Sequence, residues 1–155
     1  MKKIDLGKTI TILANVGVLV GILLLVYELN QNRQMTAAQI RSDLADASMT
    51  LQLAAATSSD LRDIWLRILA GQEVQPFERA RWQDFLGAMF RNWEHQHFQY
   101  RNGLYDATEY KGVQETWRQA LSDPTIREVW CGRESRMSGP FVAAIDEMFD
   151  GDACL

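Results

Sequence analysis

The chain has 155 residues and a formal net charge of −4, with 16 Lys and Arg against 20 Asp and Glu. A chain of this length holds one modest domain. Its acidic balance argues against nucleic acid as a partner, because nucleic-acid-binding proteins gain much of their affinity by neutralising phosphates. With three Pro and ten Gly, the composition also disfavours disorder and a turn-dense, β-rich architecture.

The first predicted element is a transmembrane helix. Nineteen uncharged residues run from Thr9 to Tyr27, between Lys8 and Glu28. As a helix they span about 28 Å, which is close to the hydrocarbon thickness of a bilayer. Tyr27 stands where an interfacial aromatic residue belongs. Since no Ala-x-Ala cleavage site follows, we predict an uncleaved signal anchor in a lipid bilayer.

Lysine and arginine counts predict the orientation of this anchor. The N-terminal side carries Lys2, Lys3 and Lys8, whereas the other side carries two arginines in its first fifteen residues. The positive-inside rule therefore favours a cytoplasmic N-terminus and a periplasmic domain. We divide the chain into a cytoplasmic tail with the transmembrane anchor, residues 1–30, and a helical domain, residues 31–155.

A G-x-x-x-G motif, formed by Gly17 and Gly21, lies on one face of the membrane helix. Small residues at this spacing let helices approach closely in lipid, and Asn15 can add a hydrogen bond between helices. Such glycines also occur in membrane helices that do not associate. We favour association, in a homo-oligomer or with another membrane protein. Because Thr11 and Asn15 share one helix face, an oligomeric pore is a further interpretation.

The absence of Pro and Gly from Ile22 to Ser59 predicts that the membrane helix continues into the helical domain. Beyond the bilayer its apolar residues form one stripe: Ala37, Ile40, Leu44, Ala47, Leu51 and Ala54. Such a stripe can pack on the domain itself or form a coiled-coil seam between copies. We favour packing within the chain, because the stripe is rich in Ala and covers few heptads.

Capping and stop signals predict five further helices. They begin at Ser59 or Asp60, Pro76, Asp106, Asp123-Pro124 and Ser138-Gly139-Pro140. The inward stripe predicted for the helix from Pro76 to about Arg101 is Trp82, Phe85, Leu86, Met89, Trp93 and Tyr100. All five tryptophans, including Trp65, are predicted to lie in the core. Nothing alternates with period two, so the predicted fold class is all-α, a transmembrane helix continuing into a helical bundle.

The weak candidate for a ligand site is Trp93, Glu94 and His97. Glu94 and His97 have the E-x-x-H spacing of ferritin-like di-iron helices, but such a site needs a second pair. The one other histidine, His95, lies on a different helix face. We therefore predict no metal and no cofactor, with His97 bonded to Glu94 or to the backbone. A small enzyme or ligand-binding sensor at these residues is the alternative.

The sequence offers no catalytic constellation. It contains no nucleophile elbow, phosphate loop, dinucleotide fingerprint or H-E-x-x-H motif, so we predict no catalytic residue. The two cysteines, Cys131 and Cys154, do not form a C-x-x-C motif. In a periplasmic domain they can form a disulfide, whereas in the cytoplasm they would stay thiols.

Three segments of the chain carry a resemblance to other proteins. The apolar anchor leads into residues 26–32, and residues 90–94 and 130–141 come later in the chain. The chain resembles a family of small bacterial membrane proteins with one N-terminal transmembrane helix and a helical domain. The resemblance implies a bacterial inner-membrane setting and carries no activity. The expected function is protein–protein association, as a homo-oligomer or as an accessory subunit of a membrane complex.

Overall fold

The computed structural model describes residues 6–151, 153 and 154, with side chains from Gly7 onward. This described part contains helices and no strand, which confirms the all-α prediction. The predicted N-terminal tail with Lys2 and Lys3 lies outside the described residues. The α-helices are α1 (Leu6–Thr57), α2 (Ser59–Leu69), α3 (Pro76–Arg101), α4 (Ala107–Leu121), α5 (Pro124–Cys131) and α6 (Gly139–Asp146). Short 3-10 helices cover Glu134–Arg136 and Glu147–Phe149.

The apolar part of α1 is uncovered along its length. None of the residues in its most apolar stretch is buried, and Leu19 and Leu23 are 61% and 68% exposed. A helix in the core of a soluble protein would bury such side chains. Among the described residues, α1 is the one helix that is long and apolar enough to cross a membrane.

The chain forms two compact units that divide between Gln39 and Ile40. The first unit holds the apolar part of α1. The second unit begins within α1 and contains the rest of that helix together with α2 to α6. The hydrophobic core and the two cavities described below belong to this second unit.

Local capping determines where the domain helices begin. The Asp106 carboxylate accepts hydrogen bonds from the backbone N–H groups of Thr108 and Glu109, at 2.8 and 3.1 Å. The carboxylate of Asp123 accepts one from Thr125 at 2.8 Å. Each cap satisfies backbone donors that have no partner within the first turn of a helix. These helices begin where the sequence predicts.

The start of α2 differs from the prediction by one residue. Ser58, rather than Ser59 or Asp60, is the capping residue, and its Oγ accepts a hydrogen bond from the backbone N–H of Leu61 at 3.2 Å. All three residues have side chains that suit a cap, so composition alone does not separate them. Only one residue therefore interrupts the helical path between α1 and α2.

Aromatic rings form the centre of the hydrophobic core. Phe141 of α6 makes edge contacts with Trp117 of α4 and Trp130 of α5, with ring centroids 5.6 and 5.5 Å apart. Trp130 in turn meets Phe90 of α3 edge-on at 5.3 Å. All four side chains are completely buried. One cluster of aromatic rings thus joins α3, α4, α5 and α6. Burial of these large apolar side chains stabilises the domain.

Two side chains predicted to be buried are not buried, and the prediction is wrong for them. Trp65 is 38% exposed and Tyr100 is 37% exposed. Trp65 stacks on Trp82 with ring centroids 5.9 Å apart, and Tyr100 stacks on Tyr110 at 3.9 Å. Each ring covers a buried aromatic residue with one face and leaves the rest of its surface open. Large aromatic residues can therefore mark the edge of a core as well as its interior.

The face of α1 that meets the rest of the second unit differs from the predicted stripe. Ala47 and Ala54 are exposed, whereas Ser48 and Ala55 are half-buried and Leu44 is buried. The prediction is wrong at Ala47 because it counted only apolar residues as inward-facing. The inward-facing residue at this turn is Ser48. As described below, Ser48 is bonded to α3, so its hydroxyl does not oppose burial. This packing within the chain is the arrangement that we favoured over a coiled-coil seam.

Candidate apolar cleft

A cleft of about 700 Å³ lies between the end of α1 and helices α2, α3 and α4. Its lining is mostly apolar and aromatic. The main contributors are Leu44, Leu51, Leu61, Trp65, Trp82, Phe85, Leu86, Met89, Trp93, Val113 and Trp117. Sites for small molecules usually have volumes of about 300–1,000 Å³ and this kind of lining. The cleft is therefore the strongest candidate binding site in the described part of the chain.

A few polar groups interrupt this lining. Ser48 of α1 accepts hydrogen bonds from the side-chain amides of Asn92 and Gln96 on α3, at 3.1 and 3.0 Å. Gln96 is buried and Ser48 is half-buried, so these bonds are shielded from water. The two hydrogen bonds hold α1 beside α3 and place a polar group within the otherwise apolar lining.

The cleft is elongated along α1. Residues of this helix line it from Arg41 to Ala56, which corresponds to about 22 Å of helix. Near Arg41 the mouth carries an ion pair, in which the Arg41 guanidinium lies 2.5 Å from the Glu109 carboxylate on α4. The Arg41 side chain is largely exposed, so this pair contributes little to stability. The exposed Arg62 of α2 is a further charged residue of the lining.

The structure does not bring the three predicted ligand-site residues into one site. Trp93 lines the cleft, where its ring stacks on that of Trp117 with centroids 5.7 Å apart. Neither Glu94 nor His97 belongs to the cleft lining. Trp93 therefore belongs to the candidate site without Glu94 and His97. The contacts of those two residues lie elsewhere in the second unit.

Glu94 connects α3 to the segment before α6. Its carboxylate accepts a hydrogen bond from the backbone N–H of Ser138 at 2.6 Å and one from the Arg91 guanidinium, also at 2.6 Å. Partial burial raises the pKa of Glu94, but the Ser138 N–H and the charge of Arg91 outweigh burial and lower the pKa overall. Glu94 is thus an ionised residue that positions the start of α6.

His97 is buried among aromatic rings. Its ring lies 5.9 Å from that of Tyr110 and 5.8 Å from that of Phe141. Burial lowers the pKa of His97, and the positive charge of Arg101 lowers the pKa further. Burial also raises the pKa of Tyr110 to about 12. The Nδ1 atom of His97 and the Tyr110 hydroxyl form a hydrogen bond at 2.5 Å, so the side-chain partner of His97 is Tyr110 rather than Glu94.

This arrangement predicts that the domain loses stability as the pH falls from about 7 to about 5. The unfolded chain takes up a proton at His97 near its ordinary pKa, whereas the folded domain resists protonation, so acid favours unfolding. The melting temperature measured against pH, by tryptophan fluorescence, should decline in this range. His97→Gln should flatten the decline, and the exposed His95→Gln should keep it. An unchanged slope in His97→Gln would contradict the assignment.

Cys131 and Cys154 are joined by a disulfide, with their Cα atoms 5.6 Å apart. The bond connects the end of α5 to the C-terminal tail, where Ala153 is also buried. Disulfides persist in oxidising compartments and are rare in the cytoplasm. The pairing is one of the two states that the sequence leaves open for these cysteines.

The predicted association motif faces open space. A side chain built at Gly17 or Gly21 would meet no atom within 4 Å, so this face of α1 can accept another helix. Thr11 donates its hydroxyl proton to the Gly7 carbonyl of the same helix at 3.0 Å. Association through Asn15, Gly17 and Gly21 and a pore along Thr11 and Asn15 both stay predictions.

The chemistry of the cleft is suited to binding. Its lining contains neither His nor Cys, and the Ser48 hydroxyl contacts amides instead of a base. Among the described residues, no group of three or more His, Cys, Asp or Glu is arranged to hold a metal ion.

No protein-family model, curated protein or solved structure matches this chain.

Proposed function

We propose that the protein is a membrane-anchored binding protein without catalysis of its own, and that its cleft receives the acyl chain of a lipid-like molecule. The observation that carries the proposal is the elongated apolar cleft between α1 and α2 to α4. In this proposal the apolar part of α1 spans a bacterial inner membrane. The second unit lies on the periplasmic side, which the lysine distribution and the Cys131–Cys154 disulfide support.

The dimensions of the cleft favour an acyl chain. One half of a bilayer's hydrocarbon core, the layer filled by a single set of acyl chains, is about 15 Å thick. The α1 lining is about 22 Å long, so it accommodates a chain of that length. Each methylene group that leaves water for this lining contributes about 0.8 kcal/mol, which gives an extended chain ample binding free energy.

A helix from a partner protein fits the cleft less well. An α-helix about 10 Å wide and about 22 Å long occupies roughly 1,700 Å³. Less than half of that volume would lie within a cleft of about 700 Å³. The rest of the helix would stay outside the aromatic lining, so the volume favours a narrower ligand.

The test uses a fatty acid that carries a nitroxide group, added to the full chain in lipid nanodiscs. The five tryptophans lie between residues 65 and 130, outside the apolar segment of α1, so tryptophan quenching reports on the second unit. We expect saturable quenching. Ala45→Phe with Ala56→Phe should weaken binding about tenfold, because the two rings displace about two methylene groups of the ligand.

A matched control separates blocked binding from altered folding. Ala47 and Ala54 are exposed residues of the same helix that do not line the cleft, so Ala47→Phe with Ala54→Phe should bind like the wild type. Equal quenching in both double variants would show that the fatty acid binds elsewhere. Absence of saturable quenching in the wild type would overturn the proposal.

A second role is association through the membrane helix. The observation that favours it is the open face of α1 at Gly17 and Gly21, where a second backbone can approach closely. Lipid is as apolar as the leucines around these glycines, so close packing rather than apolar burial would stabilise the pair. The native mass of the protein in mild detergent tests this role independently of ligand binding.

A further inference from the structure

A second cavity, of about 330 Å³, has a different chemical character. It lies between α2, α3, α5 and the segment that follows α5. Its lining residues include three arginines, Arg79, Arg133 and Arg136, together with Glu128. This is a concentration of positive charge in a chain whose net charge is −4. We call this cavity the arginine pocket.

Arg133 is held in place within the arginine pocket. Its guanidinium donates a hydrogen bond to the Asp84 carboxylate at 3.1 Å, and the side chain is 24% exposed. The guanidinium also lies against Gly87 of α3, where a Cβ atom would collide with it. Gly87 is buried in the middle of a helix, a position where glycine is unfavourable. A side chain at position 87 would require the Arg133 guanidinium to move.

The segment that carries Arg133 and Arg136 is fixed on both sides. The Cys131–Cys154 disulfide lies before it, and Glu94 binds the backbone N–H of Ser138 after it. Between these points, Arg91 donates a hydrogen bond to the backbone carbonyl of Arg136 at 2.8 Å. A segment held in this way loses little conformational entropy when a ligand binds to it.

The other two arginines of the pocket differ from Arg133 in their partners. Arg79 and Arg136 are exposed, and neither makes an ion pair or side-chain hydrogen bond within the part of the chain that the structure describes. Arg79 and Arg136 line one small cavity, where their positive charges repel each other. An anion with several oxygen acceptors would relieve this repulsion and match the planar donor geometry of arginine.

We propose that the arginine pocket binds a phosphate group. Arg133 is already paired with Asp84, so Arg79 and Arg136 are the two arginines free to engage an anion, and a phosphate group offers them three strong acceptor oxygens. A carboxylate has two oxygens, so it offers fewer acceptors to share between two guanidinium groups. The phosphate belongs either to a small molecule in solution or to a lipid headgroup. The pocket is separate from the apolar cleft, although Trp82 lines both cavities, and does not depend on the function proposed for that cleft.

The test measures the melting temperature of the full chain in nanodiscs of zwitterionic lipid, at constant ionic strength. Inorganic phosphate should raise it saturably, and acetate should not. Arg79→Gln and Arg136→Gln should each weaken phosphate binding about tenfold, the usual effect of losing one charged hydrogen bond. Without phosphate neither variant should melt below the wild type, because each removes one of two charges that repel each other. Arg62→Gln, which removes an exposed charge at the other cavity, is the control.

Three outcomes would overturn this assignment. They are no saturable effect of phosphate, equal stabilisation by acetate, and equal weakening in Arg62→Gln. Nanodiscs that contain phosphatidic acid, compared with dissolved glycerol phosphate, distinguish the two sources. If the headgroup is the source, phosphatidic acid raises the melting temperature and inorganic phosphate then adds little. If a dissolved molecule is the source, glycerol phosphate stabilises the protein and phosphatidic acid does not.

Discussion

Replacing Leu19 and Leu23 with arginine is expected to abolish stable insertion of the protein into a membrane. Each arginine near the bilayer centre costs about 2.5–3.5 kcal/mol, so the pair costs roughly 5–7 kcal/mol. Both leucines are exposed on α1, so no packing within the chain opposes the change. The wild type should resist extraction by alkaline carbonate, and the double variant should appear in the extracted fraction.

A matched pair of leucines provides the control for insertion. Leu53 and Leu66 are 61% and 56% exposed, close to the values at Leu19 and Leu23, but both lie outside the apolar segment. Leu53→Arg with Leu66→Arg should therefore insert normally. Extraction of the wild type would overturn the membrane proposal. A mature protein whose mass lacks the apolar segment would identify that segment as a cleaved leader.

The boundaries of most helices could be predicted because their signals are local. Asp106, Asp123 and the prolines at positions 76 and 124 each act within one turn of the helix that they open. Burial on α3 was harder to predict. Phe90 is completely buried but lies outside the predicted stripe. Because α3 contacts α2, α4, α5 and α6, it buries more than the single face that a stripe describes.

The cavities could not be predicted, because they depend on contacts between distant parts of the chain. In the apolar cleft, Ser48 is polar, so a pattern of apolar residues does not place it on an inward face. Its amide partners lie on another helix. In the arginine pocket, Arg79 and Arg133 are far apart in sequence, and no spacing rule brings them together. The contact between Gly87 and the Arg133 guanidinium likewise joins distant positions of the chain.

Trp117→Ala is expected to destabilise the second unit by about 3–5 kcal/mol, the usual cost of truncating a buried aromatic residue. Trp117 is completely buried, and its ring contacts those of Trp93, Tyr110 and Phe141 at centroid distances of 5.6–5.7 Å. Alanine would leave a cavity that rings from three helices cannot easily fill. Urea unfolding of the full chain in nanodiscs, followed by the remaining tryptophans, measures the free energy of unfolding.

Trp65→Ala is the comparison that separates stability from binding. Trp65 is 38% exposed and stacks on Trp82 at the edge of the core, so its truncation removes less buried area and leaves no closed cavity. We expect a loss of about 1 kcal/mol or less, the typical size for a residue that is not fully buried. Because Trp65 also lines the apolar cleft, the same variant should bind the fatty acid more weakly while remaining folded. If Trp65→Ala were as destabilising as Trp117→Ala, Trp65 would belong to the core and its exposure in the cleft would not indicate a ligand. If Trp117→Ala stayed fully stable, the ring cluster would not be the structural centre of the domain.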